Sequence, residues 1–334
     1  MLSIGSKITA KKALLLLIFF GVLFLQIKLH ISLNQKVSSE TNTSFVINKG
    51  ENLYSVLAEL EEKYDLHSTW WVRFNYIFKE APVIKTGRYN ILPNYSIKDL
   101  INAFENGNVQ QFKFTIIEGT VAKNNLKKLK AIFIKEDISE FLDPVLEGLF
   151  FKEALIPADT YFFSTQEDLI AVLQNSRSYL NDYLESIWKE KPSGNPLKSI
   201  DEAMVLASII ERESLLTSEM STIASVFLFR LQKGMRLQAD PTSAYGYYGE
   251  YGDKIGRAVL DDNNQFNTYR INGLPPSPIC YPSQGAIEAA IKSVPGNYLY
   301  FVAKGGGRHS FSKTLKEHNK NVQKWRKIKK NVSK

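Results

Sequence analysis

The sequence predicts an α+β fold, with a small domain and a larger one behind an apolar N-terminal helix. Three observations carry this. An unbroken apolar run, Ala13 to Leu25, stands near the N-terminus. Beyond it, short runs that alternate apolar and polar residues are interspersed with longer stretches of helical period. Finally, 334 residues that are 44% hydrophobic and 12% aromatic suffice for the cores of two domains plus extensions.

Lys7, Lys11 and Lys12 precede the apolar run. Thirteen residues are fewer than the roughly 20 that a membrane span needs. A cleaved signal peptide is one reading, but Gln26-Ile27-Lys28-Leu29-His30 does not suit a small-x-small cleavage site. Leu29, Ile31 and Leu33 prolong the apolar content, and Lys28 can snorkel. The favoured reading is an uncleaved anchor over 13–33, with 1–12 in the cytoplasm and the bulk of the protein outside. The net charge is +8, and Lys313 to Lys334, with nine Lys/Arg and one Glu, also sums to +8. The rest is balanced, so no nucleic-acid partner is expected. The single Cys280 excludes an intramolecular disulfide and a Cys-based metal cluster.

Asn34 to Thr43 is polar and aperiodic, a linker. Residues 44–109 read as a small α+β domain. Phe45-Val46-Ile47 is a strand, and Leu53, Val56, Leu57 and Leu60 form a helical stripe. Trp70, Trp71, Phe74, Ile77 and Phe78 cluster, and Lys85 to Ile91 turns into a second strand. Ser96 caps a helix that Gly107 ends.

Residues 110–325 read as the larger domain and 326–334 as a basic tail. Phe112, Phe114 and Ile116 alternate as a half-buried strand. Asn124 to Ile134 is a basic helix, Leu169 to Trp188 a long one, and Lys189 to Lys198 a loop. Ser199-Ile200-Asp201-Glu202 is a capping box opening an apolar helix, on which Leu206, Ile210, Glu213 and Thr217 share a face. Glu213 then sits among aliphatic groups. Desolvation raises such a carboxyl's pKa and lets it donate a proton near neutral pH. Glu211, two residues away, points elsewhere. The bland alternative is a solvated Glu213, or one paired with Arg212 or Arg230. Ser218 to Gly234 reads as a further helix, with Ser218 as N-cap and Gly234 as terminator. Asp240 then reads as the N-cap and Pro241 as the first residue of the next. Tyr245 to Gly252, rich in aromatics and glycine, reads as a loop whose tyrosines either stack on sugars or pack inward. Ser283 opens a helix, Tyr298 to Ala303 is a strand, and a last helix carries Leu315, Val322 and Trp325. Neither Gly246 to Gly252 nor Gly305-Gly306-Gly307 fits a phosphate loop, because no Gly-Lys-Ser/Thr follows. His309 and His318, with no carboxylate at metal-site spacing, make a poor metal signal and read as structural or substrate-bonding groups. No metal or cofactor is expected.

Five blocks occur in order: Glu211-Arg212-Glu213-Ser214, Gly234 to Thr242, Asn267-Thr268-Tyr269, Gly273-Leu274-Pro275-Pro276 and Tyr300-Phe301-Val302-Ala303. Together they resemble the signature of the YceG-like, MltG-type endolytic murein transglycosylases, over roughly residues 44 to 322. Glu118-Gly119, His309-Ser310-Phe311 and His318-Asn319 are similar to further family blocks. A Glu-Gly-aromatic-Pro-Asp-Thr-Tyr block is split here, with Glu147 to Phe150 separated from Pro157 to Tyr161 by Phe151 to Ile156. The resemblance implies that residues 44–109 are LysM-like, either a glycan grip or a spacer. It implies that residues 110–325 are catalytic and cleave the bond between N-acetylmuramic acid and N-acetylglucosamine in nascent peptidoglycan strands. Glu213 would act as acid and then base and leave a 1,6-anhydro end, with Glu211 as the runner-up. Ser214, Gln238, Asp240, Thr242, Tyr245, Asn267 and Tyr269 would contact or orient substrate, and wall synthases would be partners. A non-catalytic wall-binding scaffold and a muramidase-type hydrolase are the competing readings.

Overall fold

A computed structural model describes residues 3–37, 43–64, 66–67, 69–77, 79–135, 144–214, 216–251 and 255–332. Phe78, Gly252 and positions 38–42 of the expected linker lie outside them. The architecture is mixed and helix-rich. The chain divides into two units between residues 112 and 113.

The first unit contains α1 (Ser3–Leu33), β1 (Thr43–Ile47), α2 (Leu53–Tyr64), α3 (Thr69–Ile77), β2 (Gly87–Ile91) and α4 (Ile97–Asn106). β1 and β2 pair antiparallel, with Phe45 opposite Tyr89. Their inward residues meet Leu57, Leu60, Ile101 and Phe104 in one core. The α4 start follows the sequence closely. Ser96 Oγ accepts from the Asp99 amide, and the Asp99 carboxylate accepts from the Ser96 amide. Gly107 ends the helix in the left-handed region, at φ 72°. α1 is the one helix among the described residues that is long and apolar enough to cross a membrane. Leu29 and Leu33 of its last turns pack on the core of the unit. The expected linker is also partly structured. The Val37 amide donates to Tyr95 O, the Ile97 amide donates to Gln35 O, and Val37 is buried.

The second unit begins with β3 (Phe112–Thr115), α5 (Ala122–Lys135), α6 (Pro144–Leu149), β4 (Thr160–Phe163) and α7 (Gln166–Trp188). It continues with α8 (Ile200–Glu213), α9 (Thr217–Gln232), α10 (Asp240–Tyr248), α11 (Arg257–Asp261) and α12 (Gln284–Lys292). It closes with β5 (Tyr300–Gly305), β6 (Arg308–Ser312) and α13 (Leu315–Val332). β3 pairs with β4, and β5 pairs antiparallel with β6. The centre is α8. Every residue from Ala203 to Ile210 is buried, because α7, α9, α10 and α12 pack around it. Its one polar residue there, Ser208, donates to Val205 O and accepts from the Ile279 amide, so no group is left unpaired.

Four local expectations are corrected. The Ser199 hydroxyl does accept from the Glu202 amide, but the Glu202 carboxylate bonds the Lys198 amide rather than that of the cap. α8 ends at Glu213, so Thr217 belongs to α9 and shares no face with it. Ser218 is not the N-cap of α9; Leu216 is, and Ser214 Oγ takes the Leu216 amide in its place. Tyr245 to Tyr248 continues a helix instead of a loop, ended by Gly249 at φ 68°. Gly246 lets that helix sit tightly on the following turn. A Cβ there would lie 2.1 Å from Asn264 Oδ1.

Candidate functional site

Glu213 is the last residue of α8, where the helix leaves the core and meets a groove of about 440 Å³. Phe227 and Arg230 of α9, the strand residues Tyr300 to Ala303 and the α13 residues Leu315 and His318 form its walls. Gln238, Asp240 and Tyr269 line it too. Glu213 is half-buried there. Loss of solvation pushes its carboxyl up to about 8. The negative charge of Asp240 adds to this, while Arg230 and Arg212 oppose it. The group is thus an acid that holds its proton near neutral pH.

The runner-up glutamate has a different task. Glu211 accepts from both the amide and the hydroxyl of Ser283, the N-cap of α12. Its carboxylate ties α8 to α12 and is not among the groove-lining groups.

Asp240 departs from its expected role. Ala239 is the N-cap of α10, without a side-chain bond, and Asp240 is the first helical residue. Its carboxylate therefore does not cap the helix. It accepts from the Tyr269 hydroxyl at 2.7 Å. Gln238 has a left-handed backbone, φ 49°, which costs a non-glycine residue energy. Its amide is held by Thr268 O at 3.2 Å.

The structure does not bring Ser214, Thr242, Tyr245 and Asn267 to the groove. Ser214 is spent in the α8–α9 turn. Thr242 is fully buried and bonds Ala239 O at 2.7 Å and Thr268 Oγ1 at 2.8 Å. Asn267, also fully buried, donates to the carbonyls of Val259, Leu260 and Asp262. Its oxygen accepts from Ser243 Oγ and the Tyr269 amide. Tyr245 donates to Glu153 at 3.0 Å. Thr242 and Asn267 thus fix the backbone that presents Gln238, Asp240 and Tyr269.

Three groove residues were poorly legible in the sequence. Buried Arg230 donates to Leu299 O and Leu237 O, both at 2.7 Å, and so joins two walls. His309 Nδ1 meets Glu219 Oε2 at 2.9 Å, while its ring lines the groove. His318 stacks on Tyr300, with 5.2 Å between ring centroids. Burial, and then the charge of Arg230, hold its imidazole below the ordinary range, so it is neutral at pH 7. For Arg230 no sequence signal beyond its charge existed; the two histidines stood in recognisable blocks, but without a partner. Glu153, inside the insertion Phe151 to Ile156, was missed. It is 6% exposed and accepts from the Ala122 amide and the Tyr245 hydroxyl. Glu147, the glutamate of the split block, forms an exposed ion pair with Lys130. Among the described residues no cluster of His, Cys, Asp or Glu is placed to hold a metal.

Fold and site together define a mixed α+β protein whose groove presents one carboxyl kept from ionising by its surroundings. The chain belongs to the YceG-like family, whose sequence profile matches residues 45–324. It is 29% identical to an endolytic murein transglycosylase of Bacillus subtilis, over 88% of each chain. It is 24% identical to an endolytic murein transglycosylase of Streptococcus pneumoniae, over 83% of this chain and 57% of that one. A crystal structure of a putative yceG-like protein from Listeria monocytogenes superposes with a TM-score of 0.51. That match has 26% identity and covers 84% of this chain and 99% of the other.

Proposed function

We propose that the protein is an endolytic lytic transglycosylase of peptidoglycan. It cuts the bond between N-acetylmuramic acid and N-acetylglucosamine inside nascent strands and leaves 1,6-anhydro ends, which limits strand elongation. The observation that carries this reading is the Glu213 carboxyl, pushed up to about 8 where it lines a groove of about 440 Å³. The names of the Bacillus and Streptococcus relatives support the substrate.

One carboxyl suffices for this reaction. Protonated Glu213 gives its proton to the glycosidic oxygen as the bond to the muramyl C1 breaks. The carboxylate left behind then takes the proton of the muramyl C6 hydroxyl, whose oxygen bonds to C1. The proton count closes and Glu213 returns to its acid form. A group whose pKa lies near the working pH is a fair donor before the step and a fair acceptor after it. Gln238, Asp240 and Tyr269 orient the sugar. Thr242, Asn267, Ser214 and Tyr245 act at one remove by holding the elements that carry these groups. The neutral imidazole of His318 and the Glu219-held His309 offer hydrogen bonds to hydroxyl and acetamide groups.

The hydrolase reading keeps one observation in its favour, because Asp240 acts electrostatically on Glu213 as the second carboxylate of a muramidase would. Products separate the two: anhydro ends mean lysis and reducing ends mean hydrolysis. α1 is proposed as a single-pass anchor in the cytoplasmic membrane. Lys7, Lys11 and Lys12 lie inside, and the rest faces the periplasm or exterior. Residues 44–109 are proposed as a LysM-like domain, a glycan grip or a spacer, and 110–325 as the catalytic part, with wall synthases as partners. The test is Glu213→Gln in the full-length protein on purified peptidoglycan, read by mass spectrometry. Loss of anhydromuramyl products with an unchanged thermal unfolding curve is expected. Undiminished release rejects the assignment.

A further inference from the structure

α3 carries an apolar face that the core of its own unit does not use. Trp70, Phe74 and Ile77 recur at i, i+4 and i+7, so they form one stripe, and Trp71 flanks it. Only Thr69 and Val72 of this helix are buried, whereas Trp70 is 50% and Ile77 66% exposed. Trp70 stacks on Trp71 at 4.0 Å and meets Phe74 edge-on at 6.0 Å. The one cation of the helix, Arg73, is turned away into a bond with Glu61 and Thr69, so the stripe itself is uncharged.

The occupant of this face is indicated by α1. Trp71 packs edge-on against Phe24, with 6.0 Å between ring centroids. Phe24 lies within the apolar stretch, one turn before Lys28, whose ammonium folds back over its ring at 5.6 Å. The stretch of α1 left for lipid is short. Leu29 and Leu33 pack on the domain, so Ala13 to Ile27 remains, fifteen residues. At 1.5 Å per residue that spans about 22 Å, against a hydrocarbon core of about 30 Å. Apolar area is therefore wanted beside the last free turns of α1, and there α3 supplies a tryptophan pair. Tryptophan favours the headgroup boundary, where its ring is half apolar and its N–H stays wet.

We infer that α3 seats its Trp70–Trp71–Phe74–Ile77 face in the outer leaflet of the bilayer, beside α1, as an interfacial anchor that fixes the attitude of the first unit on the membrane. This rests on the reading of α1 as a membrane span. Another protein's helix is the alternative occupant, and equal quenching in both forms with an unshifted dye would leave the face to it.

Full-length protein is reconstituted into phosphatidylethanolamine/phosphatidylglycerol vesicles that carry lipids spin-labelled at the 5-position of the acyl chain. Alkaline carbonate extraction reads the span, and tryptophan quenching reads α3. The four tryptophans are Trp70, Trp71, Trp188 and Trp325, so the difference between wild type and Trp70→Phe/Trp71→Phe isolates the α3 pair. Retention in the pellet is expected for both. About half of the wild-type emission is expected to be quenchable, falling severalfold in the double variant. A second variant, Ile77→Cys with an environment-sensitive dye, leaves the core untouched, and the native Cys280 is buried. Its emission shifts to the blue on reconstitution. Carbonate-resistant protein with equal quenching in both forms and an unshifted dye overturns the α3 assignment while the span stands; release by carbonate overturns the span and the proposal with it.

Discussion

Replacing Asp240 by asparagine tests what keeps the proton on Glu213. With its carboxyl at about 8, Glu213 is about nine-tenths protonated at pH 7, whereas a solvated glutamate near 4.5 is about 0.3% protonated. The groove thus supplies the acid form about 300-fold more often. Burial is the larger cause and the charge of Asp240 the second, and both outweigh Arg230 and Arg212. Asp240→Asn removes the second cause and leaves the first. With a nearby like charge taken as worth about one pK unit, the Glu213 carboxyl falls to about 7. The alkaline limb of kcat/KM moves down with it. At pH 8 the protonated fraction drops from about half to about one-tenth, a fivefold loss, while at pH 6 it changes by less than about 10%. The asparagine keeps an oxygen where Asp240 Oδ1 accepts from Tyr269, so the ring stays in place. Tyr269→Phe is the control, because it deletes the same hydrogen bond without touching charge, and its limb stays near 8. The assay is a pH series of anhydromuramyl release from peptidoglycan at sub-saturating substrate. A limb in Asp240→Asn that coincides with that of the wild type, or lies above it, refutes the electrostatic account.

Three further outcomes are expected. The Glu153 carboxyl is pushed up to about 7 by burial, against the lowering effect of its bonds to Ala122 and Tyr245, so the folded state holds this proton more tightly than the unfolded chain does. Its contribution is full below about pH 4.5 and is lost as pH rises through 7, by about 3 kcal/mol; in Glu153→Gln, urea unfolding between pH 5 and 8 becomes flatter. Asn267→Ala strips the partners from three carbonyls and two donors in a buried turn. It costs about 2–4 kcal/mol by denaturant unfolding and lowers turnover by releasing Tyr269. Gly246→Ala forces a methyl against Asn264 and Phe266 and destabilises by about 1–3 kcal/mol, read as a lowered Tm.

Much of the scaffold was legible because its signals are local. The Ser96–Asp99 box, the Gly107 terminator, the Ser283 cap and the 3.6-residue periods of α2 and α7 need no partner to be read. What failed needed tertiary knowledge. Asp240-Pro241 looks like a cap followed by a first helical residue, yet the helix begins one residue earlier and frees the carboxylate for Tyr269. The aromatic run at Tyr245 reads as a loop until Gly246 is seen to pack on Asn264. Of the seven positions expected to touch substrate, Gln238, Asp240 and Tyr269 reach the groove. Thr242 and Asn267 are hydrogen-bond hubs behind it, a distinction that residue type does not carry, since the same polar atoms serve a sugar or a carbonyl equally well. Glu153 was invisible because a buried carboxylate has no periodic signature when its partners are an amide 31 residues upstream and a tyrosine 92 residues downstream.

The separation of Glu211 from Glu213 shows how one turn of helix gives two carboxyls different work. Both lie at the C-terminal end of α8, where unpaired carbonyls make the helix dipole negative and disfavour a carboxylate. Glu211 escapes that field by reaching the start of α12, where the Ser283 amide and hydroxyl and the positive end of a second helix receive an anion. Glu213, about 200° further round the helix, lines the groove together with Asp240, whose negative charge raises its pKa. The helix end, the like charge and the loss of water therefore all act in one direction on Glu213, against two arginines. Moving the acid by a single residue would forfeit this. Glu213→Ala/Ser214→Glu places a carboxyl where Ser214 is 2% exposed and bonded within the turn. That variant is expected to release no anhydromuramyl product at any pH between 5 and 9, and recovery of wild-type turnover in it would show that proximity alone, without the groove's field, is enough.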